Sequence, residues 1–365
     1  MTWRFVLTDL QGQALSELPG ISGKTFAKPI GSTATGSFSV PLDRWEADPL
    51  VECETLLRVY EDTPNGPFLH GHLRQITAEE QGGQNTGSVA AAFADPSWVL
   101  SRRFCGKASG GYSMGTAVSP VDRGAIIADL VNLTNTESPT GLLMGMVTPS
   151  STTYVEAWSY KPILEAVGEL SATLDGPDWQ VQPVEYVPTS GQGTIGLLDV
   201  KASIGQVRPE AVFEFGDGTN NVRSYTRTAT LDGTANRVFH LPADPTTQTV
   251  LSREDSTSIG YRGLLEAIVA ADITPDQLRV ALLEHHIAVR SGPKQTITFE
   301  PGSGLLNVPH LGTDFSVGDI VTFRASVNRA GRTQKRLNGL FRVYQAAVTV
   351  SDLGVATTSL TVVPS

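Results

Sequence analysis

The sequence predicts a mainly β protein interrupted by an α+β insertion. Both ends of the chain carry runs of period-two alternation closed by turn residues, the strand signal. The middle switches to capped stretches of 3.6-residue period. Composition agrees: 36 Gly and 22 Pro in 365 residues, with 40 % apolar and only 18 % charged residues, suit a turn-rich fold with a real core.

Residues 1–100 read as β. Trp3, Phe5 and Leu7 alternate with Arg4, Val6 and Thr8, and Asp9–Gly12 is a turn. Phe38, Val40 and Leu42 form the next strand; 43–49 is a short helical turn that Pro49 stops. Leu56–Tyr60, Phe68–Thr77 and Ser88–Phe93 are three further strands. From 106 to 205 the grammar changes. Gly106–Gly115 reads as loop, and Ser119-Pro120-Val121-Asp122 as a helix start with Ser as cap. A polar loop runs to about Thr153, and a second helix covers about Pro162 to Leu174. Trp179–Val187 and Thr194–Ala202 form a hairpin. Beyond it, Ala211–Phe215 is a strand, and Val222–Leu231 and Thr234–Leu241 are expected to pair across Asp232-Gly233. Residues 258–291 read as helical, with a capping box at Thr274–Gln277 and a Gly292-Pro293 stop. Residues 294–365 close the chain with strands at Ile320–Val327, Leu340–Val350 and Val355–Val363. These last strands echo 56–93. Gly71 stands three before Arg74, as Gly339 stands three before Arg342, which suggests a duplicated antiparallel unit.

Charge and motifs narrow the chemistry. A net charge of −10 argues against general nucleic-acid binding. Cys53 and Cys105 fit no metal or redox spacing and read as two buried thiols. No apolar run reaches the roughly 18 residues that span a membrane. Met1 leads straight into a strand pattern, so synthesis without a signal peptide is expected. Gly111-Tyr112-Ser113-Met114-Gly115 matches the G-x-S-x-G elbow, but no core strand precedes Ser113, so a hydrolase is not expected. His70 and His72 face one side of a strand without a third ligand and read as half-exposed; His285 and His286 cannot share one ion. Gly216-Asp217-Gly218 reads as a turn rather than a calcium loop. No cofactor or metal site is expected, and no enzyme. Arg329, Arg332, Lys335 and Arg336 crowd the last hairpin with no acidic residue between Asp319 and Asp352. They read either as a solvated tip or as an electrostatic contact for an acidic partner.

Four stretches, in this order, carry a resemblance. They are Phe38-x-Val40-Pro41 with Leu56–Tyr60 and Phe68-x-x-Gly71; Asn221-Val222-x-Ser224-Tyr225 leading to Ala235–Val238; Ser258–Gly263 before a Thr-Pro helix; and Phe315-x-x-Gly318-Asp319-x-Val321 with Gly339-x-x-Arg342-Val343. The chain resembles the tail hub, or baseplate hub, proteins of tailed bacteriophages, within them the tail-tip minor tail proteins of long-tailed phages. The resemblance implies two β-barrel, tube-like domains: 1–104 with 206–250, and 294–365. An α+β insertion of 105–205 and a helical segment of 251–293 would lie outside them. It implies a structural virion protein, a homotrimeric ring at the end of the tail tube that adapts a sixfold tube to a threefold tip. Implied partners are the distal tail or tail tube protein, further tail-tip or receptor-binding proteins, and the tape measure protein. Synthesis would be in the host bacterial cytoplasm. A receptor- or carbohydrate-binding tip module is the alternative reading; exposed Trp158 or Trp179 would favour it.

Overall fold

The computed structural model describes residues 3–10, 12–18, 20–42, 55–61, 66–81, 86–105, 112–114, 121–149, 153–154, 156–158, 160–172, 176–187, 193–216, 220–241, 249–270, 276–292, 294–302, 307–329, 332–352 and 355–365. The strands of the N-terminal part are β1 (Trp3–Thr8), β2 (Ala14–Glu17), β3 (Ser22–Pro29), β4 (Thr35–Pro41), β5 (Leu56–Glu61), β6 (Leu69–Gln81) and β7 (Thr86–Ala94). The expected strands of residues 1–100 are present; the helical turn at 43–49 lies outside the described residues. A 3-10 turn, Pro96–Arg102, leaves the sheet. Asp95 caps it by accepting from Ser97 N at 2.9 Å, while its second oxygen accepts from Ala34 N at 2.7 Å.

The insertion contains β8 (Tyr112–Met114), β9 (Val121–Asp122), α1 (Arg123–Glu137), β10 (Leu142–Val147), β11 (Thr153–Tyr154), β12 (Glu156–Trp158), α2 (Ile163–Ser171), β13 (Asp178–Val187) and β14 (Thr194–Lys201). It has its own core, in which Ile126, Leu130, Val167, Leu170 and Trp179 pack together. Two details differ from the sequence reading. The cap of α1 is Asp122, whose side chain accepts from Ala125 N, because its short carboxylate reaches the open first turn. Leu142–Val147, expected as loop, is a strand parallel to β14, since buried Leu142 has a core to join.

Strands β15 (Val207–Phe215) and β16 (Val222–Thr230) follow, then a small unit of β17 (Arg237–Leu241), β18 (Leu251–Glu254), α3 (Ser256–Arg262), β19 (Glu266–Ala270) and α4 (Asp276–Arg290). The 258–291 stretch is therefore not wholly helical. Glu266–Ala270 runs parallel to β17, and Ala267 and Val269 pack on the core formed with Leu283 of α4. The expected hairpin across Asp232-Gly233 does not form either. The turn exists, with Thr234 N donating to Leu231 O at 2.8 Å, but β16 pairs with a later strand and β17 with β18 and β19. Polar, exposed residues dominate β16, so its alternation carried no information about its partner.

The chain closes with β20 (Lys294–Pro301), β21 (Ile320–Arg329), β22 (Arg332–Val350) and β23 (Ala356–Pro364). β15 pairs with β21 and β16 with β20, so residues 206–230 join the closing strands and not residues 1–104. The cause is apolar matching: Phe213 and Phe299 pack at 4.8 Å between ring centroids, and Tyr225 and Phe323 at 5.6 Å. Each half then shows one wiring. In chain order its strands are β1, β3, β4, β5, β6, β7 or β15, β16, β20, β21, β22, β23. The sheet orders are β3-β4-β7-β6-β5-β1 and β16-β20-β23-β22-β21-β15, the same permutation. The orientation of the last pair differs: β1 is antiparallel to β5, whereas β15 is parallel to β21. The halves are stitched together by β22, whose later residues pair with β3 from Gln345↔Pro29 to Val350↔Lys24. A single apolar core runs through both.

Candidate assembly surface

The hairpin of β21 and β22 reaches further than its neighbours. Its register continues to Arg329↔Arg332, but β15 accompanies β21 only to Ala325, and β23 accompanies β22 only from Phe341. Residues 326–329 and 332–340 thus form a two-stranded arm beyond the sheet, with backbone edges that no described strand covers. Arg329, Arg332, Lys335 and Arg336 all lie on this arm, so the topology brings the four expected charges to one projecting element. Near its base Arg324, itself exposed, pairs with Glu214 at 2.9 Å.

The other sequence candidates are placed by their backbones. Ser113 lies in β8, paired antiparallel with Ala157 of β12; a strand-to-helix elbow does not form there. His70 and His72 are buried, not half-exposed, because the insertion packs against their face of β6. His70 Nδ1 lies 3.2 Å from Val184 O of β13, so that nitrogen carries the proton and donates to the carbonyl. Burial, with the nearby Arg58 guanidinium, lowers the His70 pKa to about 3; burial lowers His72 to about 4. No group of three or more metal-ligating side chains occurs among the described residues. Cys105 is buried as expected, whereas Cys53 lies outside the described residues.

The residues that the sequence reading missed sit where the second half meets the insertion. Asp319, 3 % exposed, accepts from Gln206 N at 2.8 Å, Ser316 N at 2.9 Å and Arg208 Nε at 3.1 Å. Arg342 pairs with Asp178 of the insertion and donates to Ile204 O at 2.7 Å. Gly205 and Gly318, at φ +94° and +104°, pass so closely that a Cβ on Gly205 would fall 2.2 Å from the Gly318 carbonyl. A signal for this latch was present: Gly318, Asp319 and Arg342 all belong to the fourth stretch quoted above.

No protein-family model matches the sequence, and no curated protein does. Solved structures do. A tail protein from Neisseria meningitidis is 11 % identical with a TM-score of 0.64, and the match covers 100 % of this chain and 97 % of that one. The prophage MuSo2 43 kDa tail protein of Shewanella oneidensis is 12 % identical with a TM-score of 0.64, covering 100 % and 98 %. The chain has a phage tail-protein fold. A component of the E. coli type VI secretion system, described as similar to the T4 tail proteins gp27 and gp5, extends the likeness; it is 8 % identical with a TM-score of 0.51, covering 94 % and 73 %.

Proposed function

We propose that the protein is a non-enzymatic structural component of a phage tail tip, a homotrimeric hub ring joining a sixfold tail tube to a threefold tip. The observation that carries this reading is the repeated wiring of the two halves. Closed rings are built from heterologous contacts whose rotation closes, and two similar barrel-like units per subunit let three chains offer nearly equivalent surfaces around one annulus. A solved Francisella PdpA–VgrG complex of similar fold agrees with an assembly role. The distal tail or tube protein would meet one face of the ring and further tip proteins, or the tape measure protein, the other. The β21–β22 arm, with its four basic residues, is suited to reach an acidic neighbour in the ring. The carbohydrate-binding alternative loses one support because Trp179 is 1 % exposed; the Trp158 side chain is outside the described residues. Native mass spectrometry of the purified chain should show a trimer. A monomer persisting at the concentration of tail assembly would overturn the ring.

A further inference from the structure

A cavity of about 350 Å³ opens where the first half, the insertion and the second half meet. Its size falls within the range of small-ligand sites, roughly 300–1,000 Å³. Lys28 of β3, Phe68, Lys201 at the end of β14, Glu61 and Asp319 all line it. Lys28 is the exceptional group. Its ammonium lies over the Phe68 ring at 5.4 Å and makes no ion pair among the described residues. Asp95 and Asp199 act on it only through space. Both are already engaged, Asp95 by Ala34 and Ser97, Asp199 by Lys201 at 3.2 Å and by Met146 N at 2.8 Å.

The carboxylates lining the cavity do not neutralise Lys28 either. Asp319 is fully committed to Gln206, Ser316 and Arg208. Burial raises the Glu61 carboxyl above its usual range, and it makes no ion pair with Lys28. Loss of water brings the Lys28 amine down to about 8. Lys28 as a residue is half-buried, and an ammonium partly removed from water without a paired counter-charge is costly, a cost that a bound anion lowers.

We propose that this cavity is a binding site for the carboxylate or phosphate group of a small anion, held by Lys28, the lysine of its lining that has no ion-pair partner among the described residues. The ligand pairs with the Lys28 ammonium, and Phe68 shields the contact from water on one side. Charge-assisted hydrogen bonds of this kind are stronger than neutral ones, so one amine suffices to select an anion. The site rests on the cavity alone and does not depend on the ring assembly.

The test is competitive labelling. The whole chain is treated with trace acetic anhydride at pH 8 and constant ionic strength, and each lysine is read by peptide mass spectrometry. Citrate or inorganic phosphate should suppress acetylation of Lys28 several-fold while exposed Lys294 is unchanged. The same anions should raise the melting temperature, an effect lost in Lys28→Gln. Lys28 labelling that ignores both anions overturns the site, as does an anion-dependent rise that survives in Lys28→Gln. The labelling arm uses the unaltered chain and stands even where a variant fails to fold.

Discussion

Gly71 and Gly339 occupy matching register positions but do different work. Gly71 stands opposite Leu57 of β5, and Gly339 opposite Phe323 of β21; both partners are fully buried. A Cβ on Gly71 would fall 2.1 Å from Ala94 O, whereas on Gly339 it would meet only the Phe341 ring at 3.5 Å. Gly71→Ala must therefore push β6 from β7, and Gly339→Ala need not move anything. Denaturant unfolding should show Gly71→Ala losing about 3 kcal/mol and Gly339→Ala less than about 1 kcal/mol. Equal losses would show that the echo reflects equal packing. The buried histidines set a second expectation. Their folded pKa values lie below the unfolded value, so they stabilise the fold above pH 6.5. As pH falls below 6.5 the unfolded chain takes up protons that the folded chain refuses. Each histidine then costs about 1.4 kcal/mol per pH unit until its folded pKa is reached. Asp95, raised to about 6 by burial, acts in the opposite sense and offsets part of this between its unfolded and folded values. In NMR titrations the His70 and His72 rings should stay neutral down to about pH 5, and titration of either near 6.5 would contradict their burial.

Single elements carry the proposed contacts with neighbours. The β21–β22 arm offers free backbone edges and four positive charges in an acidic chain. Exposed ion pairs contribute only about 0–1 kcal/mol each, so one substitution should change little. Changing Arg329, Arg332, Lys335 and Arg336 together to Glu should weaken assembly into tails, with the loss screened by salt, and should leave the melting temperature of the free chain unchanged. Normal assembly of that variant would mark the arm as a solvated tip. The arm was legible in the sequence as a basic hairpin because alternation and turn chemistry are local. Its projection past β15 and β23 was not, because it depends on where those distant strands stop.

At the scale of the molecule, β22 makes the two halves one body. It pairs with β21, β23 and β3, and the apolar core is continuous from Trp3 to Val362. Scanning calorimetry should find the two halves melting in one transition. The unit of β17–β19, α3 and α4, with its own small core, is free to melt separately. Two well-separated transitions, one assignable to 3–94 and the other to 207–230 with 294–365, would contradict the shared core.

The sequence by itself determined the mainly β class, the strands β1, β4, β5, β6 and β7 of the first hundred residues but not β2 or β3, the strands β21 and β23 with the later part of β22, the helices near 123–137 and 163–171, and the β13–β14 hairpin. Side-chain period and caps are properties of neighbouring residues, and they survive any tertiary arrangement. Tertiary structure alone decided that β15 and β16 join the closing strands, that Glu266–Ala270 is a strand, and that His70 and His72 are covered. In each case the deciding contact lies far along the chain: Phe323 and Phe299 for Phe213 and Tyr225, β17 for β19, the insertion for β6. A strand's alternation records that one of its faces is buried; only the assembled sheet settles what buries it.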